Sequence, residues 1–240
     1  MLLTMHNIYA GYEGGDVLKG VSLQVAQGTT TCIVGPNGAG KSTVLRVLSG
    51  LLRPRLGEIT FDGHSLVGLT PRHILALGLV QVPQSHSLFP AITVQENVQL
   101  GAYMLRDTAL VEQRLRAVEE MFPIVKTRAR DKAGNLSGGQ QRLVEFARSL
   151  MLDPRLILLD EPSMGLDPKT FKMVVEKIQL MQESGRTIIL VEQNARTGLG
   201  LATNGIVLES GRIRLEGPPA EILNNPEIGH LYLGGTLSNT

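Results

Sequence analysis

The sequence predicts an α/β protein whose mixed, mainly parallel sheet carries an antiparallel β part and an inserted all-helical lobe. Short apolar runs typical of buried parallel strands lie at Leu79–Val82, Leu156–Leu159 and Ile188–Val191. Helical patterns separate these runs, which is the alternation of a layered α/β core. Strand signals are absent from residues 92–150, and this absence predicts the helical lobe.

The antiparallel part is predicted in the first third of the chain. Residues 2–34 alternate polar and apolar positions around turn signals at Glu13–Asp16 and Gln27–Gly28, which predicts short antiparallel strands. The segment Glu58–Phe61 before Asp62-Gly63 predicts one more strand of this kind.

The expected organisation is a single domain over residues 1–240. Residues 1–90 and 151–240 form its α/β core, and residues 91–150 form the helical subdomain, whose helical spacing breaks at Pro123.

Composition excludes several classes of protein. A hydrophobic content of 42% with 19% charged residues is ordinary for a globular chain. The net charge of +1 and an aromatic content of 4% without Trp argue against nucleic acid as the main partner. No apolar run approaches the ~18–20 residues of a membrane span, and Met1–His6 lacks the features of a signal peptide. We expect a cytoplasmic protein that reaches a membrane only through partners.

Two further features have ordinary interpretations. Cys32 lies in an apolar strand, where a buried structural thiol is expected instead of a nucleophile. The basic residues Lys126, Arg128, Arg130 and Lys132 suggest a solvated surface in preference to a binding patch.

A glycine-rich stretch fits a cradle for nucleotide phosphates. It comprises Gly35, Pro36, Asn37, Gly38, Ala39, Gly40, Lys41, Ser42 and Thr43, between an apolar strand and a helical pattern. Glycines let backbone N–H groups point inward, and the following helix adds the positive end of its dipole. Lys41 can reach the β/γ-phosphates and the Ser42 hydroxyl can ligate Mg²⁺. The stretch therefore predicts binding of a nucleoside triphosphate instead of an ordinary turn.

Two carboxylates end one of the predicted strands. Asp160 and Glu161 follow Leu156–Leu159, and strand ends of this type carry ligands in α/β folds. Because successive strand side chains point opposite ways, the two acids should differ in role. Asp160 is suited to the Mg²⁺ shell and Glu161 to polarising the attacking water.

A second anion-receptive element lies at Leu136-Ser137-Gly138-Gly139-Gln140. A Ser followed by two glycines at a helix start offers a hydroxyl, N–H groups and the helix dipole, although a plain N-cap is the simpler interpretation. Since one nucleotide needs a single cradle, we expect a dimer in which this element completes a neighbour's site.

In their order along the chain, these motifs, with Gln84 and Ser163–Asp167, resemble the ATP-binding subunit of an ABC transporter over essentially the whole chain. The resemblance implies a P-loop NTPase core that hydrolyses ATP with Mg²⁺ and drives transport through separate permease subunits, on the cytoplasmic face of the inner (plasma) membrane. Its partner in a head-to-tail dimer would be a second copy or a sibling ATPase.

The same resemblance implies roles for individual residues. Tyr12 would stack on adenine, and Gln84 would bind Mg²⁺ and link it to the helical lobe. Ser137 and Gly139 would clamp the γ-phosphate of the opposite subunit, with Gly138 and Gln140 beside them. Asp167 would lie on the loop that joins the two sites. A core tyrosine and a surface amide are the alternatives for Tyr12 and Gln84.

One position departs from the family pattern. Most ABC ATPases have a His after the strand predicted at Ile188–Val191, and here Gln193 occupies that place within Glu192-Gln193-Asn194. This variant and the Tyr232–Gly235 ending resemble the second ATPase subunit of branched-chain amino-acid importers, a relative of amide and urea importer subunits. A strand-end surface amide is the alternative for Gln193. Lipid or polysaccharide export and a non-transport ABC module remain open as functions.

Overall fold

A computed structural model describes residues 1–85, 87–226 and 228. The chain divides into two compact units, residues 1–75 with 187–240, and residues 76–186. The Tyr232–Gly235 ending and the last residues, which the sequence predicts to be a loose tail, lie outside the described residues.

The first unit contains most of the strands. In chain order its elements are β1 (Leu3–Tyr12), β2 (Gly15–Val25), β3 (Thr30–Val34), α1 (Lys41–Leu48), β4 (Leu56–Phe61), β5 (His64–Ser65) and α2 (Pro71–Ala76), which reaches the unit boundary. The chain returns to it with β8 (Thr187–Glu192), α8 (Ala195–Gly200), β9 (Asn204–Glu209), β10 (Arg212–Gly217) and α9 (Pro219–Leu223).

These strands pair in two sets. The antiparallel set has the order β2-β1-β4-β5, which confirms the predicted antiparallel part. In the second set, β3 pairs in parallel with both β8 and β9, and β10 pairs antiparallel with β9.

The prediction of short antiparallel strands throughout residues 2–34 is wrong in two respects. Strands β1 and β2 have 10 and 11 residues, because the alternation continues through bulges that shift the register. Strand β3 is parallel, and all five of its residues are buried. A strand buried on both faces has no polar side and therefore shows no alternation.

The second unit combines a parallel strand pair with helices. Strands β6 (Leu79–Val82) and β7 (Leu156–Asp160) pair in parallel, as predicted. The elements after β6 are α3 (Val94–Gln99), α4 (Thr108–Met121), α5 (Pro123–Thr127) and α6 (Gly138–Leu150), with 3₁₀ turns at Leu100–Ala102 and Ala133–Asn135. Helix α7 (Pro168–Glu183) follows β7.

The chain from β6 to β7 is thus helical, with a break between α4 and α5 at the predicted proline. A mixed sheet, an antiparallel part and a helical segment agree with the predicted α/β class. Within the described ranges, none of the helices combines the length and apolarity that a bilayer crossing requires.

Candidate functional site

The glycine-rich loop connects β3 to α1 in the first unit and is fixed by close packing. A Cβ on Gly35 would lie 2.3 Å from the Leu208 carbonyl oxygen on β9. Gly40, the N-cap of α1, has φ 105°, and a Cβ there would meet Leu18 at 2.8 Å. Both positions therefore need glycine, one for space and the other also for its left-handed backbone.

Lys41 opens α1 and turns its side chain back over this loop. Its Nζ donates to the carbonyl oxygens of Gly35 at 2.7 Å and Pro36 at 3.1 Å, and the residue is only 5% exposed. Pro36, Asn37 and Gly38 are exposed, Ala39 and Thr43 are buried, and Ser42 is partly exposed. The loop thus presents its tip to solvent and holds a cation beneath it, which is an arrangement suited to an anion.

Tyr12, at the end of β1, is a surface residue of the same unit. Its side chain is 50% exposed, and its hydroxyl accepts a hydrogen bond of 3.1 Å from Arg46 Nη1 on α1. The alternative of a core tyrosine is therefore wrong. Half of the Tyr12 side chain thus remains open to solvent while α1 holds its hydroxyl.

Gln193 directly follows β8 and is exposed. Asn194 beside it caps α8, because its side-chain oxygen accepts from the Thr197 N–H at 3.1 Å. On the other side Glu192 is 3% exposed. Burial, with a smaller effect of the Glu192 charge, raises the pKa of the Cys32 thiol well above its usual range. Cys32 is thus the structural thiol that the sequence predicts.

In the second unit, Asp160 ends β7 and Glu161 lies just beyond it. Both residues are 7% exposed. The two acids do not alternate along a strand, contrary to the sequence-based expectation, because Glu161 lies beyond β7 and has left-handed backbone with φ 45°. A non-glycine residue in this region is strained, and such strain is concentrated at functional sites. The left-handed turn at Glu161, and not the alternation of side chains along β7, therefore sets the direction of the Glu161 carboxylate.

The structure brings Gln84 and Glu161 together. Gln84 Nε2 donates to Glu161 Oε2 at 2.9 Å and also lies 3.0 Å from the sulfur of Met164. Gln84 is half-buried and hydrogen-bonded to Glu161, which argues against the alternative of a surface amide. With its NH₂ group directed at the carboxylate, the amide carbonyl oxygen is the atom left to accept a hydrogen bond or a cation.

The element around Ser137 begins helix α6 and is an N-cap as well as a candidate phosphate clamp. Ser137 Oγ accepts from the Gln140 N–H at 3.4 Å, and the Gln140 side chain accepts from the Ser137 N–H at 3.1 Å. This capping box is the simpler of the two interpretations, yet Ser137 and Gly138 are also exposed. Capping and anion binding are compatible at one helix start.

Gly139, in contrast, is buried against α7. A Cβ on Gly139 would lie 1.8 Å from Thr170 Cγ2. This second glycine is thus required for packing, whatever its role toward phosphate.

Asp167 is exposed and caps α7. Its Oδ1 accepts from the N–H groups of Lys169 at 3.0 Å and Thr170 at 3.1 Å. Hydrogen bonds from Thr170, first from its side chain and then from its backbone, lower the pKa of Asp167. The carboxylate therefore stays ionised at neutral pH and fixes the loop before α7.

Three charged residues on α6 interact with the segment that carries Gln84, and no sequence motif predicted them. They are Arg142, Glu145 and Arg148, which contact residues 83, 84 and 87. The sequence carries no signal for them: charges at positions i, i+3 and i+6 lie on the side of the helix opposite the apolar stripe of Leu143, Phe146, Ala147 and Leu150, where a solvated face is the ordinary expectation. In the basic stretch, Lys126, Arg130 and Lys132 are exposed, in agreement with a solvated surface, while Arg128 is partly buried and pairs with Asp131.

Comparison with known proteins supports one family. The family model described as "ABC transporter" matches residues 18–164. The chain is 38% identical to the high-affinity branched-chain amino acid transport ATP-binding protein BraG of Pseudomonas aeruginosa, covering 98% of this chain and 100% of that protein. It is 33% identical to the probable branched-chain amino acid transport ATP-binding protein LivF of Archaeoglobus fulgidus, over 98% and 99%. Identity to the lipopolysaccharide export ATP-binding protein LptB of Escherichia coli K12 is 34%, over 97% of each.

Solved structures give the same result for the fold. The ADP conformation of MJ1267, an ATP-binding cassette of an ABC transporter, superposes with a TM-score of 0.87 at 28% identity, covering 97% of this chain and 98% of that one. A dimeric, post-hydrolysis cassette, MJ0796 bound to ADP and Pi, gives a TM-score of 0.79 at 28% identity, over 90% and 98%. The predicted P-loop NTPase core is confirmed.

Proposed function

This chain belongs to the ABC transporter family, as an ATP-binding subunit that hydrolyses ATP, and from that premise we propose that it powers uptake of branched-chain amino acids. The observation that carries the substrate class is the likeness to BraG along the whole of both chains. The Glu192-Gln193-Asn194 segment, which resembles the same importer subunits, supports it. Separate permease subunits would form the membrane path, with this chain on their cytoplasmic face.

The proposed reaction is in-line attack of water on the γ-phosphoryl group of ATP. The loop Gly35–Thr43 cradles the phosphates, and Lys41 neutralises charge that develops on them. Glu161 acts as general base on the water, and Gln84 orients Glu161. Gln193 donates its amide N–H to a γ-phosphate oxygen. Tyr12 stacks on the adenine ring.

The donor set fits Mg²⁺ as the metal. Ser42, Gln84 and Asp160 offer hydroxyl, amide and carboxylate oxygens, which are the ligands of a hard cation. Among the described residues there is no group of three or more His, Cys, Asp or Glu that could hold a metal. Mg²⁺ commonly needs only one or two carboxylates, since substrate phosphates and water complete its shell. When bound, it would neutralise phosphate charge.

We also propose that the working unit is a head-to-tail dimer, with a second copy or a sibling ATPase. Ser137, Gly138, Gly139 and Gln140 of one chain would face the γ-phosphate held by the loop of the other. Asp167, whose carboxylate fixes the turn before α7, would lie where the two sites approach each other. The exposure of Ser137 and Gly138 at the start of the 13-residue helix α6 supports this arrangement.

Uptake measurements test the substrate class. Cells that lack this chain should lose uptake of labelled leucine, isoleucine and valine, and the parent chain should restore it. Complementation with Glu161→Gln, which keeps the size of the side chain and removes the base, should fail. Uptake of labelled lysine is the control and should not change.

Export of lipopolysaccharide is the second candidate, because LptB is 34% identical over 97% of this chain. Under that function the depleted cells would keep branched-chain uptake and become permeable to large hydrophobic antibiotics. If the depleted cells keep both branched-chain uptake and their barrier to large hydrophobic antibiotics, a non-transport module is favoured and the proposal is contradicted.

A further inference from the structure

One face of helix α6 holds the segment that carries Gln84. Arg142 Nη1 donates to the Pro83 carbonyl oxygen at 2.8 Å, and its Nη2 donates to the Gln84 carbonyl oxygen at 2.6 Å. Glu145 Oε1 accepts from both the N–H and the hydroxyl of Ser87. Two neighbouring turns of α6 thus bind the segment at Pro83-Gln84 and again at Ser87.

These charges are buried, and they are also bound to one another. Arg142 Nη1 lies 2.9 Å from Glu145 Oε2, and their side chains are 3% and 0% exposed. Arg148 adds a 2.9 Å bond from Nη1 to the Ser87 carbonyl oxygen, and burial lowers its pKa. The Nε of Arg142 has no hydrogen-bond partner in the described part of the chain.

Stability alone does not account for such a pair. Apolar residues of similar volume often replace a buried ion pair without loss of stability, because they avoid the desolvation of two charges. Apolar side chains, however, cannot bind the carbonyl oxygens of Pro83 and Gln84 or the N–H of Ser87. The Arg142–Glu145 pair therefore adds directional hydrogen bonds to the backbone of the segment.

This backbone leads directly to the proposed base. Gln84, whose carbonyl oxygen is held by Arg142, donates through Nε2 to Glu161 at 2.9 Å. A chain of hydrogen bonds therefore runs from Arg142 through Gln84 to the carboxylate.

We propose that Arg142 and Glu145 are positioning residues for ATP hydrolysis, which act by fixing Pro83, Gln84 and Ser87 so that Gln84 holds Glu161 in place. The inference rests on the proposed role of Glu161 as general base. Loss of either positioning residue acts on turnover and leaves the binding of ATP to the glycine-rich loop intact.

The test is a double-mutant cycle on the purified full chain. The Arg142→Met/Glu145→Met variant removes both charges together, so neither is left buried alone. Its kcat should fall on the order of 10²-fold, the effect of a misplaced catalytic group. The Kd for a fluorescent ATP analogue should stay at the parent value. In a Gln84→Ala background, the same pair of substitutions should lower kcat by no more than about twofold, because the residue through which they act is gone.

Arg142→Lys serves if the double variant does not fold. It keeps a positive charge opposite Glu145 but loses the planar fork that reaches two carbonyl oxygens. It should lower kcat about 10-fold, again with unchanged Kd and with no further effect after Gln84→Ala.

The matched control is Arg186→Met, which breaks an ion pair with Asp153 (2.9 Å) in the same unit and should leave kcat unchanged. A parental kcat in the double variant would overturn the inference. So would an undiminished fall of kcat in the Gln84→Ala background, or equal losses of kcat and ATP affinity. Failure of the proposed function gives a different result, namely parental turnover in Glu161→Gln with the Arg142–Gln84 coupling still present.

Discussion

Gln84 and Glu161 lie 77 positions apart in the chain, and a hydrogen bond of 2.9 Å joins Gln84 Nε2 to Glu161 Oε2. A carboxylate that one amide already holds loses less freedom when it is set against a water molecule. The hydrogen bond therefore couples two residues that are predicted to act in the proposed reaction. The left-handed backbone of Glu161 fixes the main-chain end of the same side chain.

Glu161→Gln should stop turnover and retain ATP. The amide has the size of the carboxylate and an oxygen that can still accept from Gln84, but it cannot take a proton from water. Loss of a positioned base costs on the order of 10²–10⁴-fold in rate. Steady-state phosphate release and binding of a fluorescent ATP analogue measure the two properties. Hydrolysis near the parent rate would show that another group is the base.

Substitutions at Ser137 separate helix capping from contact with phosphate. Asn and Asp are both good N-caps, so Ser137→Asn and Ser137→Asp should keep the melting temperature, whereas Ser137→Ala should cost about 1 kcal/mol. If a γ-phosphate faces Ser137, the Asp carboxylate repels it and hydrolysis is lost, while the neutral Asn variant retains activity. Equal activity of the Asn and Asp variants would confine Ser137 to its capping role.

Mixing two inactive chains tests whether the site is shared between subunits. Lys41→Ala removes the phosphate-binding cation, and Ser137→Arg blocks the start of α6. Each should be inactive alone, and the mixture should recover part of the activity, because one composite site in the mixed dimer has both residues intact. Absence of recovery in a mixture that is shown to associate would rule out the head-to-tail arrangement.

Gly139→Ala should destabilise the protein by overpacking. The new Cβ would lie 1.8 Å from Thr170 Cγ2, and overpacking of this kind costs about 1–3 kcal/mol. Thermal unfolding measures the cost, and adding Thr170→Ala should restore part of it. Gly200→Ala is the control: no atom lies within 4 Å of its Cβ, so the melting temperature should be unchanged or slightly higher. An unchanged melting temperature for Gly139→Ala would contradict the packing around this glycine.

Local sequence patterns predicted the elements and motifs whose causes are local. The apolar runs of β6, β7 and β8 and the glycines of the phosphate loop are of this kind. The parallel pairing of β3 was missed because partners on both sides, not its own residues, decide it. Strands β9 and β10 were missed as well.

In the candidate site, too, features with local causes were predicted and features that depend on distant residues were missed. The left-handed turn at Glu161 leaves no mark in residue type. The hydrogen bonds of Arg142 and Glu145 to Pro83, Gln84 and Ser87 join residues about sixty positions apart. Long-range hydrogen bonds of this sort follow from the tertiary fold alone.

Gln193 gives the last prediction. If its amide N–H donates to a γ-phosphate oxygen, Gln193→Ala loses one charge-assisted donor, roughly 1.5–3 kcal/mol, or about 10–150-fold in rate. Gln193→His keeps a ring N–H and should stay active. It should also gain a pH dependence between about 5.5 and 7.5 that the parent lacks, since imidazole titrates there and an amide does not. The control is Gln24→Ala, an exposed amide on β2, which should behave as the parent. Rates and nucleotide affinity measured across pH distinguish the outcomes. A Gln193→Ala variant unchanged in both would make Gln193 a surface amide at the end of β8, with no part in hydrolysis.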